Sequence, residues 1–75
     1  MTFEALGAEI DALWDRLQGK FAQIDEKIRV CDEEQSEGRT GLDAVTAAKK
    51  LAAEADSIRE TLLTKIDQAI QMCAP

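Results

Sequence analysis

Residues that could do chemistry are few in this chain of 75 residues. It has no histidine and no tyrosine, and its two cysteines, Cys31 and Cys73, lie far apart with no C-x-x-C partner. A zinc site needs several closely spaced cysteine or histidine ligands, and nucleophilic catalysis needs a base beside the nucleophile. The sequence also has no glycine-rich phosphate loop. We therefore expect a protein that is not an enzyme and that holds no metal or cofactor.

The two cysteines have two interpretations. Both fall among regularly spaced apolar residues, which favours small buried side chains in a reducing cytoplasm. In a hairpin of two long helices they would lie at opposite ends, too far apart for a disulfide within one chain. An intermolecular disulfide or a reactive thiol is the alternative.

Apolar residues recur every three or four positions in both halves of the chain, which is typical of helices that each bury one stripe. In the first half they are Phe3, Leu6, Ile10, Leu13, Trp14, Leu17, Phe21, Ile24, Ile28 and Cys31. In the second half they are Ala44, Ala48, Leu51, Ala55, Ile58, Leu62, Ile66, Ala69 and Cys73. This pattern predicts a helix over about residues 3–36 and a second over about 42–73.

The polar, glycine-containing segment between the halves predicts a turn at residues 37–41. Gly38 suits the left-handed residue that ends a helix, and Thr40 with Asp43 resembles a capping box for the next helix. We expect an all-α fold, a two-helix antiparallel hairpin that forms a single domain over residues 1–75. One continuous helix in an intermolecular coiled coil is the alternative.

The second helix carries more apolar surface than one neighbouring helix can cover. A second row, displaced by about 90° from the first, consists of Val45, Ala52, Leu63 and Ile70. These four residues are spaced symmetrically about a point near Ser57 and Ile58, so an antiparallel copy of the helix would set Val45 against Ile70 and Ala52 against Leu63. The contact of a two-fold dimer requires such symmetry. We predict that hairpins pair through this row into a homodimeric four-helix bundle, which would also support the small core of a lone hairpin. The alternative is that the row is a half-exposed flank of the core within one chain.

The back of the first helix is a candidate surface for a foreign protein. Opposite the apolar stripe lie small residues that would allow another helix to approach closely: Ala5, Ala8, Ala12, Gly19 and Val30. An exposed glycine within a helix costs about 1 kcal/mol relative to alanine, so Gly19 has no evident local purpose. The alternative is that alanine serves there only as a good helix former.

Acidic residues at the end of the first helix form a second candidate surface. Up to Glu37 the chain has ten acidic and four basic residues, which gives the entire net charge of −6, whereas the remainder has five of each. Four acidic residues crowd a helix end where the helix dipole disfavours anions: Asp32, Glu33, Glu34 and Glu37. They would contact a basic partner, or else form a solvated surface balanced by Arg39, Lys49 and Lys50.

Composition and charge argue against nucleic acid and membranes as partners. The chain lacks the basic stripe that binds phosphates, and it has no run approaching the ~20 apolar residues that cross a bilayer. We expect a cytoplasmic protein with no direct nucleic-acid binding and no membrane contact.

These features favour a small acidic, non-enzymatic protein–protein interaction module, a regulator or inhibitor of the phage or mobile-element type that binds a larger protein. In architecture the hairpin resembles dimeric RNA-binding plasmid copy-number regulators and the needle subunits and small co-chaperones of type III secretion. The proline-containing turn of needle subunits and the basic stripe of the RNA-binding regulators are absent here. A structural subunit or co-chaperone of a larger helical assembly, such as a secretion apparatus, is the alternative function.

Overall fold

The computed structural model describes residues 2–73, and within them it has two α-helices and no strand. Helix α1 spans Phe3–Ser36 and helix α2 spans Leu42–Cys73. The helices pack side by side in a molecule of 60 × 16 × 14 Å. The prediction of an all-α antiparallel hairpin is confirmed, and one continuous helix is wrong.

Helix α1 begins at a side-chain cap. The backbone N–H of Ala5 donates to Thr2 Oγ1 at 3.0 Å, and the N–H of Leu6 donates to the Thr2 carbonyl at 3.0 Å. Glu4 lies in the first turn, where the helix dipole favours an anion. Thr2 therefore fixes the residue at which the helix starts.

Helix α1 ends in a Schellman motif. The N–H of Arg39 donates to the carbonyl of Glu34 at 2.8 Å, and the N–H of Gly38 donates to the carbonyl of Gln35 at 3.1 Å. Gly38 has a φ of +85°, in the left-handed region that residues with a β-carbon rarely adopt. The prediction that Gly38 closes the first helix is confirmed.

Gly41 packs closely against α1. Its φ is +69°, and a β-carbon at this position would lie 2.7 Å from the Sγ atom of Cys31. The backbone of Gly41 itself is buried there. Because both the φ angle and the space exclude a side chain, only glycine fits at this point of the turn.

The capping box predicted from Thr40 and Asp43 is wrong. Thr40 Oγ1 accepts a hydrogen bond from the N–H of Leu42 at 3.3 Å, not from the N–H of Asp43. The carbonyl of Gly41 accepts the hydrogen bond of the first turn, from the N–H of Val45 at 3.0 Å. Gly41 is therefore the N-cap residue of α2.

A narrow strip of aliphatic side chains between the helices forms the core. Its buried centre consists of Leu17, Ala55, Ile58 and Leu62. Partly buried residues pack against this centre, namely Ile10, Leu13, Ile24 and Ile66. Towards the two ends of the hairpin, Leu6, Cys31 and Ala44 are also buried. Each helix thus buries one line of side chains against the other.

Part of the stripe predicted as core on α1 is not buried. Phe3, Trp14, Phe21 and Ile28 each remain about half exposed, from 43% for Phe21 to 53% for Phe3. Two helices touch along a line, so one neighbour covers only part of a stripe about 100° wide. The expectation that these four residues form the core is wrong for the single hairpin.

Candidate functional site

Large apolar side chains lie exposed along one side of the hairpin. We call this surface the apolar face, and it consists of Phe3, Trp14, Phe21 and Ile28 from α1 and Val45, Ala52, Leu63 and Ile70 from α2. The single tryptophan of the chain is 52% exposed, and Ile70 is 60% exposed. Large apolar side chains gathered on one side of a protein are typical of an interaction site.

The exposed apolar residues of α1 and those of α2 lie on the same side of the hairpin, because they line shared grooves at its two ends. Phe3 and Ile70 line one groove at the open end, together with Ile10 and Ile66. Near the turn, Ile28 and Val45 line a second groove, together with Asp32. Between these ends, residues seven positions apart keep to the same side of each helix, as Trp14, Phe21 and Ile28 do on α1. The two rows therefore form one surface.

Ion pairs between the helices close the opposite side of the hairpin. Lys20 Nζ lies 2.7 Å from Glu54 Oε2, and Lys65 Nζ lies 3.2 Å from Glu9 Oε2. The hydrogen bond from Lys20, and then its charge, lower the pKa of Glu54 below its ordinary value. The hairpin is thus polar and bridged on one side, and apolar and unbridged on the other.

The position of Lys20 explains why the core is displaced from the centre of the α1 stripe. At about 100° per residue, Lys20 lies about 60° from Leu17 in one direction, and Phe21 lies about 40° from it in the other. Because α2 packs against Leu17 and also reaches Lys20 through Glu54, it leaves the Phe21 edge open. The apolar face follows from this rotation of α1.

A shallow groove also runs along the ion-pair side. Small side chains, Ala22 and Ala47, leave room there above Leu51. Its rim carries charges of both signs, from Glu26, Lys27, Lys50 and Glu54. No pattern in the sequence pointed to this groove, because alanines on the flank of a stripe do not indicate a cleft.

The four residues predicted as a dimer interface all lie on the apolar face and are exposed. Val45 and Leu63 are each 49% exposed within the single hairpin. Sequence reasoning missed the contribution of α1, whose aromatic side chains were expected in the core. One feature of the sequence could have indicated it. Leu6 and Leu13 are followed at the same seven-residue spacing by two lysines, Lys20 and Lys27, so this edge of the stripe becomes polar towards the turn.

The small residues predicted as a docking strip on the back of α1 are solvent-facing. Ala5, Ala8, Ala12 and Gly19 are exposed, whereas Val30 is half-buried. A β-carbon added to Gly19 would meet no atom within 4 Å. The hairpin itself therefore gives no packing reason for a glycine at this position.

The acidic residues near the turn are exposed at three of four positions. Asp32, Glu33 and Glu37 are exposed, and Glu34 is half-buried. Within the described residues Arg39 pairs with Glu37, and neither Lys49 nor Lys50 forms an ion pair with the cluster. The expected balance of charge across the turn is therefore partial.

One basic residue inside α1 also neutralises part of this cluster. Arg29 is bridged to Glu26 and to Glu33 on the helix surface. The hydrogen bond and charge of Glu26, together with the charge of Glu33, raise the pKa of Arg29 above its ordinary value. Glu33 is thus already paired within the chain, whereas Asp32 has no ion pair among residues 2–73.

The cysteines differ in environment. Cys31 is buried against the turn, as predicted, whereas Cys73 is exposed at the end of α2. The prediction that both are buried is wrong for Cys73, because α1 begins at Phe3 and leaves the last turn of α2 uncovered. Over the described part of the chain, no three side chains of the metal-binding types come together.

Comparison with protein-family models, curated proteins and solved structures finds no match for this chain. Function is therefore inferred from the surfaces of the hairpin itself. Neither helix, as far as residues 2–73 are concerned, combines the length and hydrophobicity needed to cross a lipid bilayer.

Proposed function

We propose that this chain is a non-enzymatic protein–protein interaction module and that the apolar face is its docking surface. One observation carries the proposal: large apolar side chains from both helices remain about half exposed on one side of the hairpin. Removing apolar surface from water yields about 25 cal/mol per Å², so an uncovered face of this kind favours association.

The form that we propose for the module is a homodimeric four-helix bundle. A hairpin whose core is one strip of side chains has limited stability, and a single core of this size supplies no more than ~3–5 kcal/mol. Covering the apolar face would add Trp14, Phe21 and Leu63 to a shared core. The dimer would therefore be the stable form of the protein.

The outward surfaces of α1 are then free for a larger protein partner. These are the strip of small residues around Gly19 and the acidic residues beside the turn, apart from Asp32, which lines the groove of Ile28 and Val45 on the apolar face. A dimer would present each surface twice. We propose that the protein acts there as a regulator or inhibitor in the cytoplasm, without binding nucleic acid or membranes.

The alternative is a structural subunit or co-chaperone of a larger helical assembly, in which helices of other proteins cover the apolar face. The same observation supports it. The two differ in what the purified chain does by itself: a fixed dimer supports the module, and open-ended growth with concentration supports the subunit.

Light scattering after size-exclusion chromatography tests the proposal. The wild-type chain should have the mass of a dimer, and Leu63→Glu should have the mass of a monomer and retain its helical circular dichroism. Ala53→Glu is a matched control because Ala53 is exposed on α2 and lies outside the apolar face.

Fluorescence of Trp14 reports on the same event. Since Trp14 is about half exposed in the hairpin, its emission should shift to shorter wavelength as concentration rises in wild-type chain and Ala53→Glu, but not in Leu63→Glu. A wild-type chain that stays monomeric at millimolar concentration, with unshifted emission, would overturn the proposed dimer.

A further inference from the structure

We propose that a second copy of this chain covers the apolar face in an antiparallel orientation, so that α2 packs on α2 and Asp56 meets Arg59 of the second copy across a two-fold axis. The two turns then lie at opposite ends of the bundle. This inference rests on the proposed function, and it adds the orientation and register of the dimer.

The apolar residues of α2 are self-complementary about one point. Val45 and Ile70 lie equally far from the midpoint between Ser57 and Ile58, and so do Ala52 and Leu63. Two antiparallel copies of α2 centred on that point place a smaller side chain opposite a larger one at each contact. A two-fold interface requires this reciprocity: if one residue contacts a second residue on the other copy, that second residue on the first copy makes the same contact in return.

Two charged residues interrupt the apolar row at its centre, and they obey the same symmetry. Asp56 and Arg59 are equally far from the midpoint and carry opposite charges. Their side chains are exposed, and within one chain they approach only to 3.9 Å, at the limit of an ion pair. Antiparallel packing supplies each with an opposite charge from the second copy, twice per dimer.

Charge therefore selects the second copy and its direction. If α2 packed on α2 in the parallel direction, Asp56 would face Asp56 and Arg59 would face Arg59, which is repulsive at both positions. A dimer that sets α1 against α2 would lose both attractions. Lys49 and Asp67, which flank the row, are also mirrored about this midpoint to within one residue. A foreign helix would have no reason to match these positions.

The row on α1 has a centre of symmetry of its own, at Phe21. Trp14 and Ile28 lie seven residues on either side of Phe21, so antiparallel copies of α1 would pair Phe21 with itself and Trp14 with Ile28. Contacts of neighbouring residues show where Phe21 lies along α2. Lys20 forms an ion pair with Glu54, and Leu17 packs in one cluster with Ile58.

Phe21 thus lies about one helical turn from the midpoint of α2, towards the turn of the hairpin. A two-fold axis through the α2 midpoint crosses α1 near Leu17, so it does not also pair Phe21 with itself. The α2 row and its charges therefore set the register of the dimer, and the aromatic side chains of α1 pack beside the axis.

The size of the face suits a stable dimer. It extends over a side of the hairpin of 60 × 16 Å, roughly 960 Å² in projection. Stable specific interfaces bury about 800 Å² per partner. One side of the hairpin is therefore large enough to supply a stable interface between two copies.

A charge-swap experiment tests the pairing. Asp56→Arg alone and Arg59→Asp alone should each weaken self-association, by about tenfold or more, because each sets like charges against each other twice. Mixing the two variants should restore wild-type affinity, since the mixed dimer pairs Arg with Asp at both places. The double variant Asp56→Arg/Arg59→Asp should also associate like the wild type.

The mixture is decisive because it separates the contact between copies from the contact within one chain. Neither single variant has an Asp56–Arg59 attraction within its own chain, so recovery in the mixture can come only from pairing between copies.

Disulfide trapping gives the orientation independently. In a Cys31→Ala/Cys73→Ser background, Ala52→Cys mixed with Leu63→Cys should cross-link on mild oxidation, and neither should cross-link to itself. Self-linking of Ala52→Cys would indicate a parallel dimer and overturn the inference.

A bundle with both turns at the same end would set α1 against α2 of the second copy and give neither cross-link. In that case, or if the single charge variants associate normally, the antiparallel pairing is wrong although the proposed dimer stands. A wild-type chain that stays monomeric would instead overturn the proposed dimer itself.

Discussion

Gly41 and Cys31 are in contact across the turn, at a distance that leaves no room for a β-carbon on Gly41. A β-carbon on Gly41 would lie 2.7 Å from the Cys31 Sγ atom and 3.1 Å from the Cys31 carbonyl oxygen. The contact therefore joins the start of α2 to the last turns of α1.

Substitution of the two turn glycines should separate φ strain from steric overlap. Both Gly38 and Gly41 have positive φ, so alanine at either should cost about 1 kcal/mol or more. A β-carbon on Gly38 meets no atom within 4 Å, whereas one on Gly41 overlaps Cys31. Gly41→Ala should therefore lose about 1–3 kcal/mol beyond Gly38→Ala in urea unfolding at one protein concentration. Equal losses would contradict the close contact.

Replacement of Gly19 should stabilise the hairpin. Since an alanine there meets no neighbouring atom, Gly19→Ala should raise the free energy of unfolding by up to about 1 kcal/mol through helix propensity. Chemical denaturation of both proteins measures this change. A loss of stability would mean that the back of α1 is covered by another part of the dimer.

The Glu54–Lys20 ion pair should make stability depend on pH in the acidic range. The pKa of Glu54 is lowered in the folded chain, so its contribution is complete above its ordinary pKa of 4.5 and is lost as pH falls through the folded value. The difference in melting temperature between wild type and Glu54→Gln should therefore be present at neutral pH and vanish in strong acid. Added salt should reduce it.

Glu60→Gln is the control for this experiment. Glu60 is exposed on α2 and has no ion pair within the described residues, so its replacement should leave the pH profile close to that of the wild type. If Glu54→Gln and wild type differ equally at every pH, the ion pair does not form in solution.

The two thiols should react at different rates with an aromatic disulfide reagent. Cys73 is exposed and Cys31 is buried against Gly41, so dilute native protein should show one fast thiol and one slow thiol per chain. Cys73→Ser should abolish the fast phase, and denaturant should make both thiols fast. Two fast thiols in native protein would contradict the packing at the turn.

Sequence periodicity was sufficient for the helices and the turn. A 3.6-residue apolar repeat interrupted by glycines has few solutions other than two helices folded on each other. It also placed Val45, Ala52, Leu63 and Ile70 in one row, because positions on a single helix are related by local geometry alone.

The rotation of α1 about its axis was decided only by tertiary structure. Within a stripe about 100° wide, different residues can face the partner helix, and the periodicity of the sequence does not determine which of them do. Packing around Leu17, with Lys20 reaching Glu54 on one side, left Trp14 and Phe21 uncovered on the other. The sequence alone therefore determined two amphipathic helices and their turn. The joining of two rows into one apolar face, which neither helix contains by itself, depended on how the helices pack.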